Sequence, residues 1–159
     1  MYDIENYYNA STIEEAVRLL KEHPDTRVIS GGSDVLIKIR EGKMAGTSLV
    51  SIRDIKELNG ITKKENGDIY IGAGTTFSHI TNDPVIQENI PVLGEAVDQV
   101  GGPQIRNIGT IGGNICNGAV SADSAPTVFS LNALLRIEDG NNGRTVPVRD
   151  FTWVRAVWI

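Results

Sequence analysis

The sequence predicts an α+β fold in two units: a small α/β layer over residues 1–56 and a second α+β unit over 57–159 with mixed or antiparallel sheet pairing. Three observations carry this. From Arg27 to Ile52 the chain runs strand, glycine-rich turn, helix, strand, and strands paired in parallel need such a crossover. Asn66-Gly67, between Gly60-Ile61-Thr62 and Asp68-Ile69-Tyr70-Ile71-Gly72, is a hairpin signal, which implies antiparallel pairing. Short helical stretches then follow, punctuated by Pro84, Pro91 and Gly101-Gly102-Pro103. The change of pattern falls between Ile52 and Leu58, and a cleft between the two units is the natural place for a ligand.

Taken in order, Ser11, three residues before Glu14, predicts a capping box opening a helix. Ile13, Ala16, Val17 and Leu20 recur on one face at helical spacing, and Pro24 ends the helix. Arg27-Val28-Ile29 is a short buried strand, Val35 to Arg40 a short helix, and Leu49 to Ile52 a second strand. In the second unit, Phe77 to Ile80 starts a helical turn and Pro84 another short helix. Pro91 suits the first turn of a helix running to about Val100. Thr110 to Asp123, TIGGNICNGAVSAD, is expected to be a loop, with a helix from Ser124 to Leu131 after it. Leu134 to Ile137 is a strand, and Asn141-Asn142-Gly143 turns back to a partner at Val146.

With 159 residues the chain buries roughly 70% of its unfolded surface and needs neither disulfide nor metal to hold a core. A net charge of −5 without any basic run argues against nucleic acid or an anionic membrane as partner. No apolar segment approaches the ~18 residues of a membrane span, and the opening MYDIENYYNA is not a signal peptide, so cytoplasm is the expected location. The single cysteine, Cys116, excludes an intramolecular disulfide and an all-cysteine zinc site. His23 and His79 lie far apart and near no carboxylate cluster, so no metal site is expected. Neither paired catalytic carboxylates nor a Ser/His/Asp grouping is visible; no catalytic residue is assigned, and any chemistry belongs to a bound cofactor.

Two glycine-rich stretches carry the functional reading. Ser30-Gly31-Gly32-Ser33-Asp34 follows a strand and precedes a helix. Its glycines permit positive φ and close backbone approach, and successive amides there form an anion-binding concavity. The alternative is a plain tight turn. It is neither a Walker loop nor GxGxxG. In the second stretch, Gly112-Gly113 suit a diphosphate, with Thr110 and Asn114 supplying side-chain hydrogen bonds and Ser121 and Asp123 completing it. Asp123 either caps the next helix or contacts ligand hydroxyls, since a carboxylate would repel a diphosphate. Arg106 either neutralises phosphate or an acidic partner surface, or forms a structural ion pair. Cys116, without a nearby base, is a packing residue rather than a nucleophile. The two stretches are expected to close on one phosphate-bearing cofactor.

At these residues the chain resembles the FAD-binding subunit of the molybdenum hydroxylases, the xanthine dehydrogenase family. Val28 to Leu36 (VISGGSDVL), Ile71 to Thr76 (IGAGTT) and Gln104 to Pro126 (QIRNIGTIGGNICNGAVSADSAP) match in order, and YYNASTIEEAVRLL fits the family's first helix. The similarity covers about residues 1 to 150, with wording nearest to bacterial xanthine dehydrogenase subunits. It implies a two-subdomain FAD-binding domain of the molybdopterin dehydrogenase (PCMH-like) type. It also implies partners: a molybdopterin-binding subunit, an iron–sulfur subunit, and NAD as electron acceptor. Ile29, Ser30, Gly31, Gly32, Ser33, Asp34, Val35 and Leu36 would bind the diphosphate side of FAD. Thr110, Gly112, Gly113 and Asn114 would continue that cradle, and Asp123 would take the flavin's polar chain. Val100, Gly101, Ile105 and Asn117 would line the cofactor, and Cys116 would neighbour its ring. After Phe151 the sequence TWVRAVWI departs from the family and is expected to be a truncated or out-of-frame end.

Overall fold

The computed structural model describes residues 2–118, 122–140 and 142–151. It is α+β. The first layer is a parallel three-stranded sheet of β1 (Ile4–Asn9), β2 (Arg27–Ile29) and β3 (Thr47–Ser51), in the order β1-β3-β2. Val28 pairs with Val50, and Tyr8 with the same Val50 from the other side. Because side chains alternate across a strand, Leu49 and Val50 of the central β3 face opposite helices. Val50 packs with Ala16 and Leu19 of α1 (Ile13–Glu22), whereas Leu49 packs with Ile39 of α2 (Val35–Arg40).

The α1 cap lies one residue later than expected. Thr12, not Ser11, accepts the Glu15 amide at 3.1 Å, while the Glu15 carboxylate accepts the Ser11 amide at 2.8 Å. Both registers exist in Ser11-Thr12-Ile13-Glu14-Glu15, and the later one lets α1 bury Leu19 as well as Ala16. β1 leaves no signal in the sequence: only Ile4 and Tyr8 of its six residues are even half-buried, so it carries no apolar pattern.

The second layer begins with the antiparallel hairpin of β4 (Ile61–Lys63) and β5 (Ile69–Ile71), Thr62 facing Tyr70. Gly67, at φ 91°, supplies the left-handed turn residue. α3 (Phe77–Asn82), α4 (Pro84–Asn89), α5 (Pro91–Asp98), α6 (Pro103–Arg106), α7 (Ile111–Asn117) and α8 (Ser124–Ser130) follow. Phe77, Ile80, Ile86, Leu93, Val97, Ile111, Ile115 and Val128 form their shared core, closed by Val148. A second antiparallel pair, β6 (Leu134–Ile137) and β7 (Arg144–Pro147), packs Leu135 against it. Asn141 of the expected turn, and the tail from Thr152 to Ile159, lie outside the described residues.

The largest correction is α7. The stretch from Thr110 to Asp123 is not a loop throughout: Ile111–Asn117 is helical. Thr110 caps it, its Oγ1 accepting the Gly113 amide at 3.2 Å, and Gly118 ends it in the left-handed conformation at φ 60°. Gly112, Gly113 and two asparagines make poor helix formers, so propensity pointed to a loop. Burial of Ile111 and Ile115, one turn apart, overrides it.

Candidate functional site

The parallel sheet ends its strands on one side, and α/β layers place ligands in the crevice beyond those carboxyl ends. Ser30 follows β2 and Arg53 follows β3, and both line a cavity of about 150 Å³. Gly31, Asp54 and Asn59 join them. Gly74, Thr76, Asn107, Ile108 and Thr110 of the second layer complete the wall. A shallower groove of about 410 Å³ runs along α1 beside Gly140. Its cations are engaged: Arg18 pairs with Glu22 at 3.0 Å, and Lys21 donates to the Asp139 carbonyl. The smaller cavity is therefore the candidate site.

The two glycine-rich stretches meet there. A Cβ added to Gly31 would lie 1.8 Å from the Ile108 carbonyl oxygen and 3.2 Å from Gly109 Cα, so the first turn rests directly on the backbone leading into α7. That backbone is held in turn by the segment after β5. Thr76 and Thr110 form an antiparallel bridge, and Phe77 donates to the Gly109 carbonyl at 3.1 Å. Ile111 donates to Thr75, and Gly112 to Ala73 at 2.9 Å. Thr75, 1% exposed, fixes this strip by accepting from the Gly60 amide and donating to its carbonyl. Across the sheet-to-helix junction, the Lys38 ammonium of α2 donates to Asn117 Oδ1 of α7 at 2.9 Å.

The expected site residues divide accordingly. Ser30, Gly31 and Thr110 line the cavity. Gly32, at φ 78°, makes the turn, and Ile29, Val35 and Leu36 pack beneath it with Ile39 and Leu49. Ser33 is half-buried. Asp34 is exposed at the start of α2 and makes no capping bond. Gly112 abuts Ala73, and the Gly113 amide is spent on the Thr110 cap. Asn114 accepts a hydrogen bond from Ser124, and Asn117 one from Lys38. Asp123 sits exposed where α8 begins and does not cap it with its side chain. Val100, Gly101 and Ile105 do not line the cavity; Val100 packs on the helical core, and Ile105 lies against Gly101. Ser121 lies outside the described residues.

Arg106 is the structural ion pair of the two alternatives. Its Nε is 3.2 Å from the Asp98 carboxylate, and it donates to the Gly101 carbonyl at 2.7 Å. The cation at the cavity is instead Arg53, whose guanidinium has no hydrogen-bond or ion-pair partner among the described residues. Its neighbour Asp54 is engaged by Asn9 at 2.9 Å. Nothing in the local sequence singles out Arg53; only its place just beyond the end of β3 does. The set suits a phosphate-bearing cofactor: one free cation, several hydroxyls and amides, and a turn where a Cβ cannot fit. The volume is below the ~300–1,000 Å³ usual for a whole small-molecule pocket.

Residues 2–155 match the family described as the FAD binding domain in molybdopterin dehydrogenase. The chain belongs to that family. This FAD-binding domain is 40% identical over 151 residues to the xanthine dehydrogenase FAD-binding subunit of Escherichia coli O157:H7, covering 95% of the chain and 52% of the relative. It is 37% identical over 153 residues to the nicotinate dehydrogenase FAD-subunit of Eubacterium barkeri, covering 95% and 51%. Among solved structures, a carbon monoxide dehydrogenase from Hydrogenophaga pseudoflava superposes with a TM-score of 0.92 at 30% identity, over 99% of this chain and 56% of that one. Quinoline 2-oxidoreductase from Pseudomonas putida 86 gives 0.87 at 27% identity, over 92% and 51%. The chain thus spans about half the length of the curated relatives it matches. FAD is the cofactor of the family, and among the described residues no group of three or more metal-ligating side chains converges and no helix is long and apolar enough to cross a membrane.

Cys116, near the end of α7, has an exposed residue surface, but protein packed around its sulfur desolvates the thiol and pushes its pKa up from the ordinary value of 9.0. A raised thiol pKa favours the protonated form, so the reactive thiolate is scarcer than in an ordinary exposed cysteine. Iodoacetamide at pH 8 should modify Cys116 more slowly than it modifies the same cysteine in the urea-unfolded chain. Equal rates in the two states would contradict this.

Proposed function

We propose that this domain is the FAD-holding part of the flavin subunit of a molybdenum hydroxylase. In this reading it accepts electrons from an iron–sulfur partner, which is fed by a molybdopterin partner, and passes them to NAD. The favoured substrate of the complex is xanthine or hypoxanthine. The observation that carries the proposal is the contact of Gly31 with Ile108 and Gly109, the backbone leading into α7, which brings Ser30, Gly31 and Thr110 to one polar cavity. The likeness to FAD-binding subunits over 95% of the chain supports the cofactor. The relatives named for nicotinate and carbon monoxide stand at 37% and 33% identity, so a nicotinate- or carbon monoxide-type complex is the second reading.

FAD supplies the redox chemistry when bound; the chain's own task is to hold it, orient it and shield it. Residues 1–56 and 57–159 act as the two jaws of the cleft. Ser30 to Ser33, Arg53 and Thr110 bind the diphosphate, and Asn114, Asn117 and Asp123 take the flavin's polar groups. No side chain of the cavity is required as acid or base, and Asp54, held by Asn9, serves the frame rather than the ligand.

The test is direct. Purified protein incubated with FAD should turn yellow after desalting and release FAD on denaturation. Its melting temperature should rise, since ligand at a hundred times Kd adds about 2.7 kcal/mol. A colourless product after FAD incubation would sink the proposal. Anaerobic NADH should bleach the bound flavin if NAD is the acceptor, and an unbleached spectrum would remove NAD from the scheme.

A further inference from the structure

Three side chains of α7 and its cap stand in one stripe, because Thr110, Asn114 and Asn117 are spaced by four and three residues. Each already spends an acceptor inside the protein. Thr110 Oγ1 accepts the Gly113 amide at 3.2 Å. Asn114 Oδ1 accepts from Ser124 Oγ at 2.5 Å, and Ser124 is wholly buried. Asn117 Oδ1 accepts from Lys38 Nζ at 2.9 Å. An ammonium has donors and no acceptor, so the Asn117 amide can present only its oxygen to Lys38. Its NH₂ group is thereby turned away and has no partner among the described residues, as is true of the NH₂ of Asn114.

Lys38 itself is unusual in this chain. It is half-buried, yet its ammonium forms no ion pair among the described residues, although Asp34 stands one turn before it on α2. Half-buried Arg106, by contrast, has Asp98. A cation removed from water is expected to find a carboxylate. Lys38 reaches a neutral amide of α7 instead, 79 residues away in the chain.

We propose that Lys38 is a positioning residue that sets the Asn117 amide as a donor, making α7 a three-rung donor ladder for the acceptor-rich edge of the bound cofactor. This rests on the FAD reading above and adds a residue of α2 that acts through Asn117 without touching the ligand. The ladder selects ligands with acceptors in a row, phosphate oxygens and ring carbonyls, over ligands that present donors.

Three variants test it on the purified chain, with FAD affinity read by quenching of flavin fluorescence and the apo melting temperature as control. N117D keeps a partner for Lys38 but removes the donor, and should weaken FAD about tenfold at unchanged apo stability. K38M frees the amide to rotate and should weaken FAD by several-fold, and K38R, which still donates, should restore it to within about threefold of the parent. Parent protein that binds FAD while N117D and K38M bind it equally well overturns this proposal and leaves the cofactor assignment standing. A K38M defect that K38R does not relieve also overturns it, because the donated hydrogen bond is then not the cause. Parent protein that binds no FAD removes the cofactor reading itself.

Discussion

Gly31→Ala should abolish FAD retention and lower stability by about 3 kcal/mol, the upper end for overpacking. The added carbon would sit 1.8 Å from the Ile108 carbonyl oxygen, and both atoms in conflict belong to main chain or to its first substituent. No rotamer relieves the clash; one of the two walls must move. Gly42→Ala provides the control. That glycine is left-handed at φ 77° with nothing within 4 Å of its Cβ position, so it should cost only the backbone penalty of about 1–2 kcal/mol and leave FAD binding intact. Urea midpoints and flavin content after gel filtration measure both. If Gly31→Ala retains stoichiometric FAD, the contact between the two stretches is not what shapes the site.

Gly112→Val should be nearly as severe. A Cβ there meets the Ala73 Cβ and carbonyl oxygen, each at 2.7 Å, in the strip where Gly112 donates to the same carbonyl at 2.9 Å. Valine would push α7 off the segment after β5, cost about 2–3 kcal/mol by overpacking, and displace Thr110 from the cavity. The expected readout is a lowered melting temperature together with loss of bound flavin. Far-ultraviolet circular dichroism should change little, because α7 is one short helix among eight described. A variant that keeps its melting temperature would show that α7 can shift without strain.

Much of this architecture was legible in the residues, for physical reasons that can be named. The parallel sheet showed itself because β3 is buried on both faces and so reads as a compact run, Leu49-Val50-Ser51, after a glycine turn and a short helix. The hairpin showed itself through Asn66-Gly67, where only a left-handed residue closes the turn. β1 stayed hidden because its residues are mostly exposed and its place is fixed by backbone pairing with β3. α7 reads as a loop in the sequence because its helicity comes from Ile111 and Ile115 against a distant core, while its local composition favours a loop. The site followed the same division. Gly31 and Gly112 stand out in the sequence because each backbone is approached too closely for a Cβ. The placement of Arg53 at the cavity and of Lys38 against Asn117 left no such trace, because it depends on what the fold sets opposite each cation.

The tie between Lys38 and Asn117 has a kinetic consequence. It joins segments 79 positions apart, and Gly31 against Ile108 is almost as distant in the chain. Closing such long loops is entropically unfavourable until both layers exist to reward it, so the cleft should assemble last during folding. The same economy runs in reverse at equilibrium: contacts made last and between layers are the first to open. The Gly112 amide, held by Ala73, would then exchange its hydrogen sooner than the amides of the helical core around Leu93 and Val97, and on the proposed FAD reading it should slow down when FAD is added.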